Sequence, residues 1–184
     1  MKFQSKIKIL FITPSFSRGG SEIYLYQLLK NIDKNKFEVF LFSDFPGELT
    51  KTEQDYNLDY YDVKIGSLKY YILRVIKKIF KFNYKYCKIA KINKNFQPDI
   101  WYLNTSVLQD YHTFAQKLNV PYIVHFHELI SVFDGISGID FNLMIKNAKA
   151  IIACSSSVKT MIENVRTSNV FVQYEHIGIP DKNN

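Results

Sequence analysis

The stretch Ile7–Ile32 constrains the fold of this chain more than any other part of the sequence. An apolar run over Ile7–Ile12 stops at Pro14, and a loop of small and polar residues then leads to Gly19 and Gly20. Apolar residues return at helical spacing, at Ile23, Leu25, Leu28 and Leu29. The pattern predicts a strand, a loop and a helix. Because the apolar run is continuous rather than alternating, we expect both faces of the strand to be buried, as in a central parallel strand.

The loop between this strand and helix is predicted to face a ligand. Gly19 and Gly20 let backbone N–H groups approach a bound group closely. Ser21 is the predicted N-cap of the helix, and Glu22 places an anion in its first turn. In an open α/β sheet, ligands lie beyond the carboxyl ends of the strands, which is where this loop is expected.

Strand and helix patterns alternate along the rest of the chain. Further strands are predicted at Phe37–Ser43, Leu58–Ile65, Ile100–Leu103, Pro121–Phe126, Ala150–Ala153 and Val170–Tyr174. Helices are predicted at Gly66–Asn95, Val107–Leu118, Ile139–Ala148 and Ser155–Val165. The third strand is short and polar, which places it near an edge of the sheet. The alternation predicts an α/β fold with a doubly wound, Rossmann-like parallel sheet.

Length, cysteine content and hydropathy exclude several classes of protein. At 184 residues the chain can bury a sizeable core. Its two cysteines, Cys87 and Cys154, have no paired spacing, so neither a disulfide framework nor a zinc site is indicated. The N-terminus has no cleavage site of small residues, and no window approaches the roughly 18 apolar residues that span a bilayer. A cytoplasmic protein is the resulting expectation.

Positive charge is concentrated between Ile65 and Pro98. The chain has a net charge of +7, and this segment holds nine cations and no carboxylate, interleaved with aromatic and aliphatic residues. Such a segment can lie in a membrane interface with its cations on anionic headgroups, or it can pack on the core with a solvated outer face. Nucleic acid is not an expected partner, because no recognised nucleic-acid motif accompanies the segment. The residues predicted to face a membrane are Lys69, Arg74, Lys77, Lys78, Lys81, Lys85 and Lys88.

Polar residues follow three of the predicted strands and are expected to converge at one edge of the sheet. They are the loop 15–21, the run 104–106 and the run 125–128. Helix capping explains the run 104–106 equally well. By strand alternation His125 and His127 point to the same face. His125, within its strand, is the candidate core residue, and His127, at the strand terminus, is the candidate substrate contact.

These histidines do not predict a metal site. Their spacing is not the H-E-x-x-H pattern of a helical zinc site, and no G-x-S-x-G nucleophile elbow occurs in the sequence.

Four segments in the right order resemble the N-terminal half of a family 4 glycosyltransferase of the GT-B architecture. The family's opening strand, glycine loop and first helix resemble ILFITPSFSRGGSEIYLYQLLKNID, and its fourth-strand region resembles PDIWYLNTS. Its fifth-strand histidine motif resembles VPYIVHFHEL, and the elements before its interdomain linker resemble AKAIIACSSSVKTMI. The linker resembles VQYEHIGIP, although members commonly have an Asn-Gly pair followed by Ile where this chain has His176-Ile177-Gly178.

The resemblance implies a retaining, metal-independent transfer of a sugar from a nucleotide-sugar donor, without a cofactor. Residues 1–175 would form the Rossmann-like acceptor-side domain, and residues 176–184 would begin the interdomain linker. The C-terminal, donor-binding domain lies outside these residues, so we expect no transfer by this chain alone. The implied partners are a nucleotide sugar, a glycan or lipid-linked acceptor, and an anionic membrane surface on which a cytoplasmic enzyme of polysaccharide biosynthesis would be peripheral.

The resemblance also implies roles for matched residues. Gly19 and Gly20 would approach the donor diphosphate, and His127 would act as the catalytic residue by contacting the transferred sugar near its anomeric centre. The other candidate substrate contacts are Ser17, Arg18, Glu22, Asn104 and Glu128.

Two other functions remain open at the level of sequence. Asp44, after the second strand, is where a dinucleotide-binding dehydrogenase domain carries an acidic residue, but the G-x-G-x-x-G fingerprint is missing. A non-enzymatic subunit that docks on a membrane and recruits a separate catalytic chain is the third possibility.

Overall fold

The computed structural model describes residues 5–48, 57–60, 67–80, 83–128 and 139–174. Its strands are β1 (Ile7–Ser15), β2 (Phe37–Phe45), β3 (Asn57–Tyr60), β4 (Ile100–Leu103), β5 (Tyr122–Phe126), β6 (Ala150–Ala153) and β7 (Val170–Val172). Its helices are α1 (Gly20–Asn31), α2 (Leu68–Phe80), α3 (Tyr84–Phe96), α4 (Gln109–Lys117), α5 (Ile139–Asn147) and α6 (Ser156–Glu163). Within these described ranges, no helix is both long and apolar enough to cross a membrane.

The seven strands form one parallel sheet in the order β3-β2-β1-β4-β5-β6-β7. From β1 the chain winds outward through β2 to β3, then returns to β4 and winds outward in the other direction to β7. The predicted doubly wound, Rossmann-like parallel sheet is therefore confirmed, and β3 lies at an edge as expected. The switch point between the two directions falls between β1 and β4, where such sheets bind their ligands.

The first strand is buried on both faces, as its continuous apolar run predicts. Leu10 and Ile12 point into one cluster, which packs beneath helices α3 to α6. Phe11 points into the other cluster, together with Leu25 and Leu29 of α1. Full burial of a leucine side chain contributes about 1.5–3 kcal/mol, so these two leucines fix α1 against the sheet. The beginning of α1 is thereby held at the carboxyl edge of the strands.

The first strand is longer than the sequence indicates, because it continues through Pro14 to Ser15. Its pairing with β4 ends at Ile12, whereas its pairing with β2 continues to Ser15. Beyond Ile12 the strand therefore has a neighbour on one side only. Proline is tolerated there because its missing N–H removes no ladder bond on the open side.

The long helix predicted for Gly66–Asn95 is wrong, because this segment forms two helices, α2 and α3. Asn83 starts the second one from an extended backbone conformation, and its side chain accepts a hydrogen bond from the Tyr86 backbone N–H at 3.2 Å. Asparagine competes with helical backbone bonding in this way and favours caps over helix interiors. Lys81 lies outside the described residues, and so do the second half of the predicted third strand and the predicted linker 176–184.

Candidate functional site

The loops that follow β1 and β4 are neighbours at the switch point of the sheet. The Asn104 backbone N–H donates to the Ile12 carbonyl at 2.9 Å, which places Asn104 beside the end of β1. Asn104 is fully buried although its side chain is polar. A buried amide must be hydrogen-bonded to avoid a cost of about 1–3 kcal/mol, so its partners define the local geometry.

The Asn104 side chain joins the start of α1 to His127. Its Nδ2 donates to the Ser21 carbonyl at 3.2 Å, and its Oδ1 lies 3.3 Å from His127 Nε2. Because Oδ1 only accepts, this contact requires the proton of the His127 ring to be on Nε2. Gly19, Gly20 and His127 therefore lie at the same edge of the sheet, linked through one amide.

His127 stacks on His125, and both rings point to the same face of β5 as strand alternation predicts. Their ring centroids are 3.9 Å apart, with an interplanar angle of 39°. His125 is fully buried, and its Nδ1 lies 2.6 Å from the Tyr102 hydroxyl. Burial, and secondarily the charge of His127, lower the pKa of His125 to about 2. His125 is therefore a neutral core residue, and His127 is the more exposed of the two.

Two tyrosines complete this group, and sequence reasoning missed both. Tyr24, on α1, meets His125 and His127 edge to face, at centroid distances of 5.3 and 5.7 Å. Tyr102, on β4, supplies the hydroxyl to His125. The spacing of Tyr24 on the helix and of Tyr102 on the strand marks them as inward-facing, but nothing in the sequence pairs either one with a particular histidine.

The two glycines of the loop have different surroundings. A Cβ at Gly19 would overlap the Glu22 carboxylate, whereas a Cβ at Gly20 would meet nothing within 4 Å. Glu22 is buried, and its two carboxylate oxygens accept hydrogen bonds from Ser15 Oγ and Ser21 Oγ, each at 2.9 Å. Gly19 therefore makes room for a carboxylate that ties the loop together, while Gly20 leaves its own surface open.

The N-cap of α1 is Gly19, so the prediction of Ser21 as the cap is wrong. The Ser21 hydroxyl is bonded to Glu22 instead, and no side chain caps the helix. The first four N–H groups of a helix lack an intrahelical partner, and they lie at the positive end of the helix dipole. An uncapped beginning with an open glycine is suited to an oxygen anion such as phosphate.

The other predicted contacts border this edge and are held by local bonds. Glu128 accepts from the backbone N–H groups of Ser106 and His127, each at 3.1 Å, so its carboxylate connects the β4 and β5 loops. Ser17 Oγ lies 3.0 Å from Ser15 Oγ. Arg18 pairs with Glu48 at 2.9 Å, and both side chains are exposed, which makes the pair worth at most about 1 kcal/mol.

A match to a protein-family model identifies the family of this chain. The model for glycosyltransferase family 4 matches residues 18–174. The chain belongs to glycosyltransferase family 4. The family recognised from the four segments is therefore confirmed. No curated protein matches the chain by sequence.

Solved structures confirm the fold of this family 4 domain. Anabaena Alr3699/HepE, crystallised with UDP and glucose, is similar with a TM-score of 0.68 at 17% identity, over 92% of this chain and 44% of that one. A glycosyltransferase from Rickettsia africae matches with a TM-score of 0.62 at 18% identity, over 92% and 43%. UDP-GlcNAc 2-epimerase from Methanocaldococcus jannaschii matches with a TM-score of 0.53 at 15% identity, over 91% and 45%. The chain spans less than half the length of each, and at these identities the likeness shows the fold alone.

In this family 4 domain the Asp44 carboxylate is not accessible for binding the ribose of a dinucleotide. It is buried at the end of β2, where Lys85 Nζ lies 2.7 Å from Oδ2 and the Tyr111 hydroxyl donates to Oδ1. Lys85 also lies over the Tyr111 ring, 4.6 Å from its centroid. The carboxylate that prompted the dehydrogenase interpretation is thus used to attach α3 and α4 to the sheet.

Two lysines of the basic segment, Lys85 and Lys88, are less exposed than the sequence predicts. Lys85 and Lys88 were predicted to face a membrane, but their side chains are only 23% and 17% exposed. Lys88 Nζ pairs with Asp59 of β3 at 3.0 Å and donates to the Tyr60 carbonyl. Both lysines therefore point toward the acidic side chains of β2 and β3, whose opposite charge attracts the ammonium groups.

Metal ligands do not cluster in the part of the chain that the structure describes, where no group of three or more His, Cys, Asp or Glu side chains could hold an ion. The expectation of a metal-independent reaction is not tested by this finding and stays a prediction.

Proposed function

We propose that this domain is the acceptor-side half of a retaining glycosyltransferase of the hexosyltransferase type. It would transfer a sugar from a nucleotide-sugar donor to a glycan or lipid-linked acceptor. The reaction would take place in the cytoplasm, as a step of polysaccharide biosynthesis. The observation that carries the proposal is the Asn104 side chain, which joins the uncapped beginning of α1 to His127 at the switch point of the sheet.

The beginning of α1 suits the leaving group of such a reaction. When the bond between the anomeric carbon and the diphosphate oxygen breaks, its electron pair stays on the diphosphate, which becomes more negative. Uncapped N–H groups and the positive end of a helix dipole stabilise charge that develops at that place. Gly20, with open space where a Cβ would be, lets a phosphate oxygen come close to the backbone.

His127 is in a position to touch the sugar itself. Its ring is held on three sides, by Asn104 at Nε2, by His125 in the stack and by Tyr24 at the edge. A side chain held in this way needs little further ordering when substrate binds, which is the preorganisation that transition-state stabilisation requires. In the proposed reaction its ring orients the transferred sugar while the anomeric bond breaks. No cofactor and no metal ion takes part.

A second domain is part of the same proposal. This chain covers 43–45% of the three solved structures described above, which leaves room for another domain of similar size. HepE was crystallised with UDP and glucose, which supports the proposal that the complete protein binds a UDP-sugar. Residues 1–175 would form the acceptor-side domain and residues 176–184 the start of the linker. The nucleotide would then lie between the domains, and this chain alone would not turn over a donor.

The test compares the 184-residue chain with a longer protein that continues through the next domain of the same gene. We expect transfer of radiolabelled sugar from a UDP-sugar by the longer protein only. Turnover by the 184-residue chain would refute the two-domain requirement. A reading frame that ends without a second α/β domain would instead favour the non-enzymatic docking subunit.

A further inference from the structure

Helix α2 turns an apolar stripe toward solvent. Leu68, Tyr71, Ile72 and Val75 are 77%, 55%, 49% and 54% exposed. Their spacing of i, i+3, i+4 and i+7 puts them on one face of the helix. In a globular protein this is the face that normally packs on the core, and exposed contiguous apolar surface of this kind marks an interaction site.

The same helix carries only positive charge. Leu68–Phe80 contains four cations and no carboxylate, and among them Lys69 and Arg74 have exposed side chains. At about 100° per residue, these two lie on opposite sides of the apolar stripe, each roughly 110° from its centre. Lysine and arginine stems at the flanks of such a stripe can run along an apolar surface while their charged ends reach a polar layer.

The neighbouring helix does not share this arrangement. Lys85 and Lys88 of α3 are paired with Asp44 and Asp59, at 2.7 and 3.0 Å. The apolar residues of α3 face inward, with Ile89 fully buried. Among the described residues of the basic segment, those of α2 therefore combine outward apolar side chains with outward cations, and those of α3 do not.

We propose that α2 docks this protein on an anionic phospholipid bilayer, with Leu68, Tyr71, Ile72 and Val75 at the acyl boundary and Lys69 and Arg74 on the headgroups. Amphipathic helices that lie in the plane of the interface have these two features together. Anionic lipid is the partner that matches the charge, because it supplies a continuous negative layer beside an apolar one. The docking does not rest on the proposed sugar transfer, since it uses neither the α1 loop nor His127.

The test is cosedimentation of the full chain with vesicles. We expect binding to phosphatidylcholine mixed with phosphatidylglycerol, weaker binding as salt screens the charges, and little binding to phosphatidylcholine alone. At about fivefold per cation, Lys69→Gln with Arg74→Gln should weaken binding about 25-fold. The charge-matched control is Lys91→Gln with Lys94→Gln, which neutralises two exposed lysines of α3. It should change binding less than twofold, which is smaller than the roughly fivefold effect of a single cation at the interface.

The apolar stripe is tested separately. Leu68→Ser with Ile72→Ser should reduce binding about tenfold or more, whereas Leu143→Ser, on the exposed side of α5, should not change it. All these side chains are exposed, so the melting temperature Tm should stay at the wild-type value and report a folded chain in each case. An equal loss in the α3 control and the α2 variant would overturn the proposal, because net charge alone would then explain binding. Failure of the wild-type chain to bind the anionic vesicles would overturn it as well.

Discussion

The switch-point edge of the sheet and helix α2 place their side chains in opposite ways. At the edge, Asn104 and His125 are polar and fully buried. On α2, Leu68 and Val75 are apolar and more than half exposed. Each region holds side chains against their solvent preference, which costs free energy unless the buried groups are hydrogen-bonded or the exposed ones find a partner.

The two regions differ in which groups offset this free-energy cost. At the edge the partners belong to the chain itself: the Ser21 carbonyl and the His127 ring bond to the Asn104 amide, and the Tyr102 hydroxyl lies 2.6 Å from His125 Nδ1. On α2 the stripe faces outward, and we propose that lipid covers it. Changes at the edge should therefore affect activity and stability, whereas changes on α2 should affect neither property of the protein in solution.

The largest effect is expected at His127. In the proposed two-domain protein, His127→Ala should lower kcat about 10²–10³-fold, as removal of one preorganised transition-state contact does elsewhere. The measurement is the steady-state rate of sugar transfer. Leu143→Ser on α5 is the control, with an unchanged rate. A His127→Ala enzyme with wild-type kcat would remove this residue from the proposed site.

Next comes Asn104, compared with a residue of the exposed stripe. Asn104→Leu should destabilise the fold by about 1–3 kcal/mol for each group that it leaves unpaired, here the Ser21 carbonyl and the His127 ring. Ile72→Ser should stay within about 0.5 kcal/mol, as exposed substitutions do. Urea unfolding measures both. An equal decrease in the free energy of unfolding for the two variants would contradict this comparison, because it would mean that Ile72 is packed rather than exposed.

Lysines of the two helices provide a smaller test. Lys85→Met should cost about 1.5–3 kcal/mol, since it removes the charged partner of the buried Asp44. Lys69→Met, in α2, should cost less, at most about 1 kcal/mol, because the exposed ammonium group lies over the Tyr84 ring, 5.4 Å from its centroid. Thermal unfolding monitored by circular dichroism separates the two outcomes. A neutral Lys85→Met would mean that solvent already screens the pair.

The smallest effect is a slope with pH. The pKa of His125 is about 2 in the folded chain and near 6.5 when unfolded, so between these values the unfolded chain binds a proton that the folded chain does not. Its contribution to stability is complete above about pH 6.5 and declines below it, by up to ~1.4 kcal/mol per pH unit.

Replacing the pair by His125→Phe with Tyr102→Phe should remove this part of the slope between about pH 7 and pH 5 in urea unfolding. Ile72→Ser should keep it, because the substitution leaves His125 unchanged and α2 contains no histidine, aspartate or glutamate. An unchanged slope in the double variant would show that other groups are responsible.

Much of this fold was readable from the sequence because burial on two faces leaves a distinct pattern. The continuous apolar run of β1 predicted a central parallel strand, and the polar third strand predicted an edge; both predictions are confirmed. The break between α2 and α3 was missed although Asn83 is a recognisable capping residue. Apolar periodicity continues across it, and periodicity alone does not show where one helix ends.

Less of the candidate site was readable. The strand ends predicted that Gly19, Gly20 and His127 share one edge, and they do. The roles of Lys85 and Lys88 were not readable, because the Asp44 and Asp59 carboxylates that hold them come from distant parts of the chain and meet them only after the sheet is assembled. The sequence shows that one segment contains nine cations, but it does not show which of them face outward.

The most direct measurement is a crystal structure of the proposed two-domain protein, bound to UDP and the donor sugar. We expect phosphate oxygens within hydrogen-bond distance of backbone N–H groups at Gly20 and Ser21, and the sugar against the His127 ring. A diphosphate bound away from the beginning of α1, with His127 touching no part of the sugar, would contradict it.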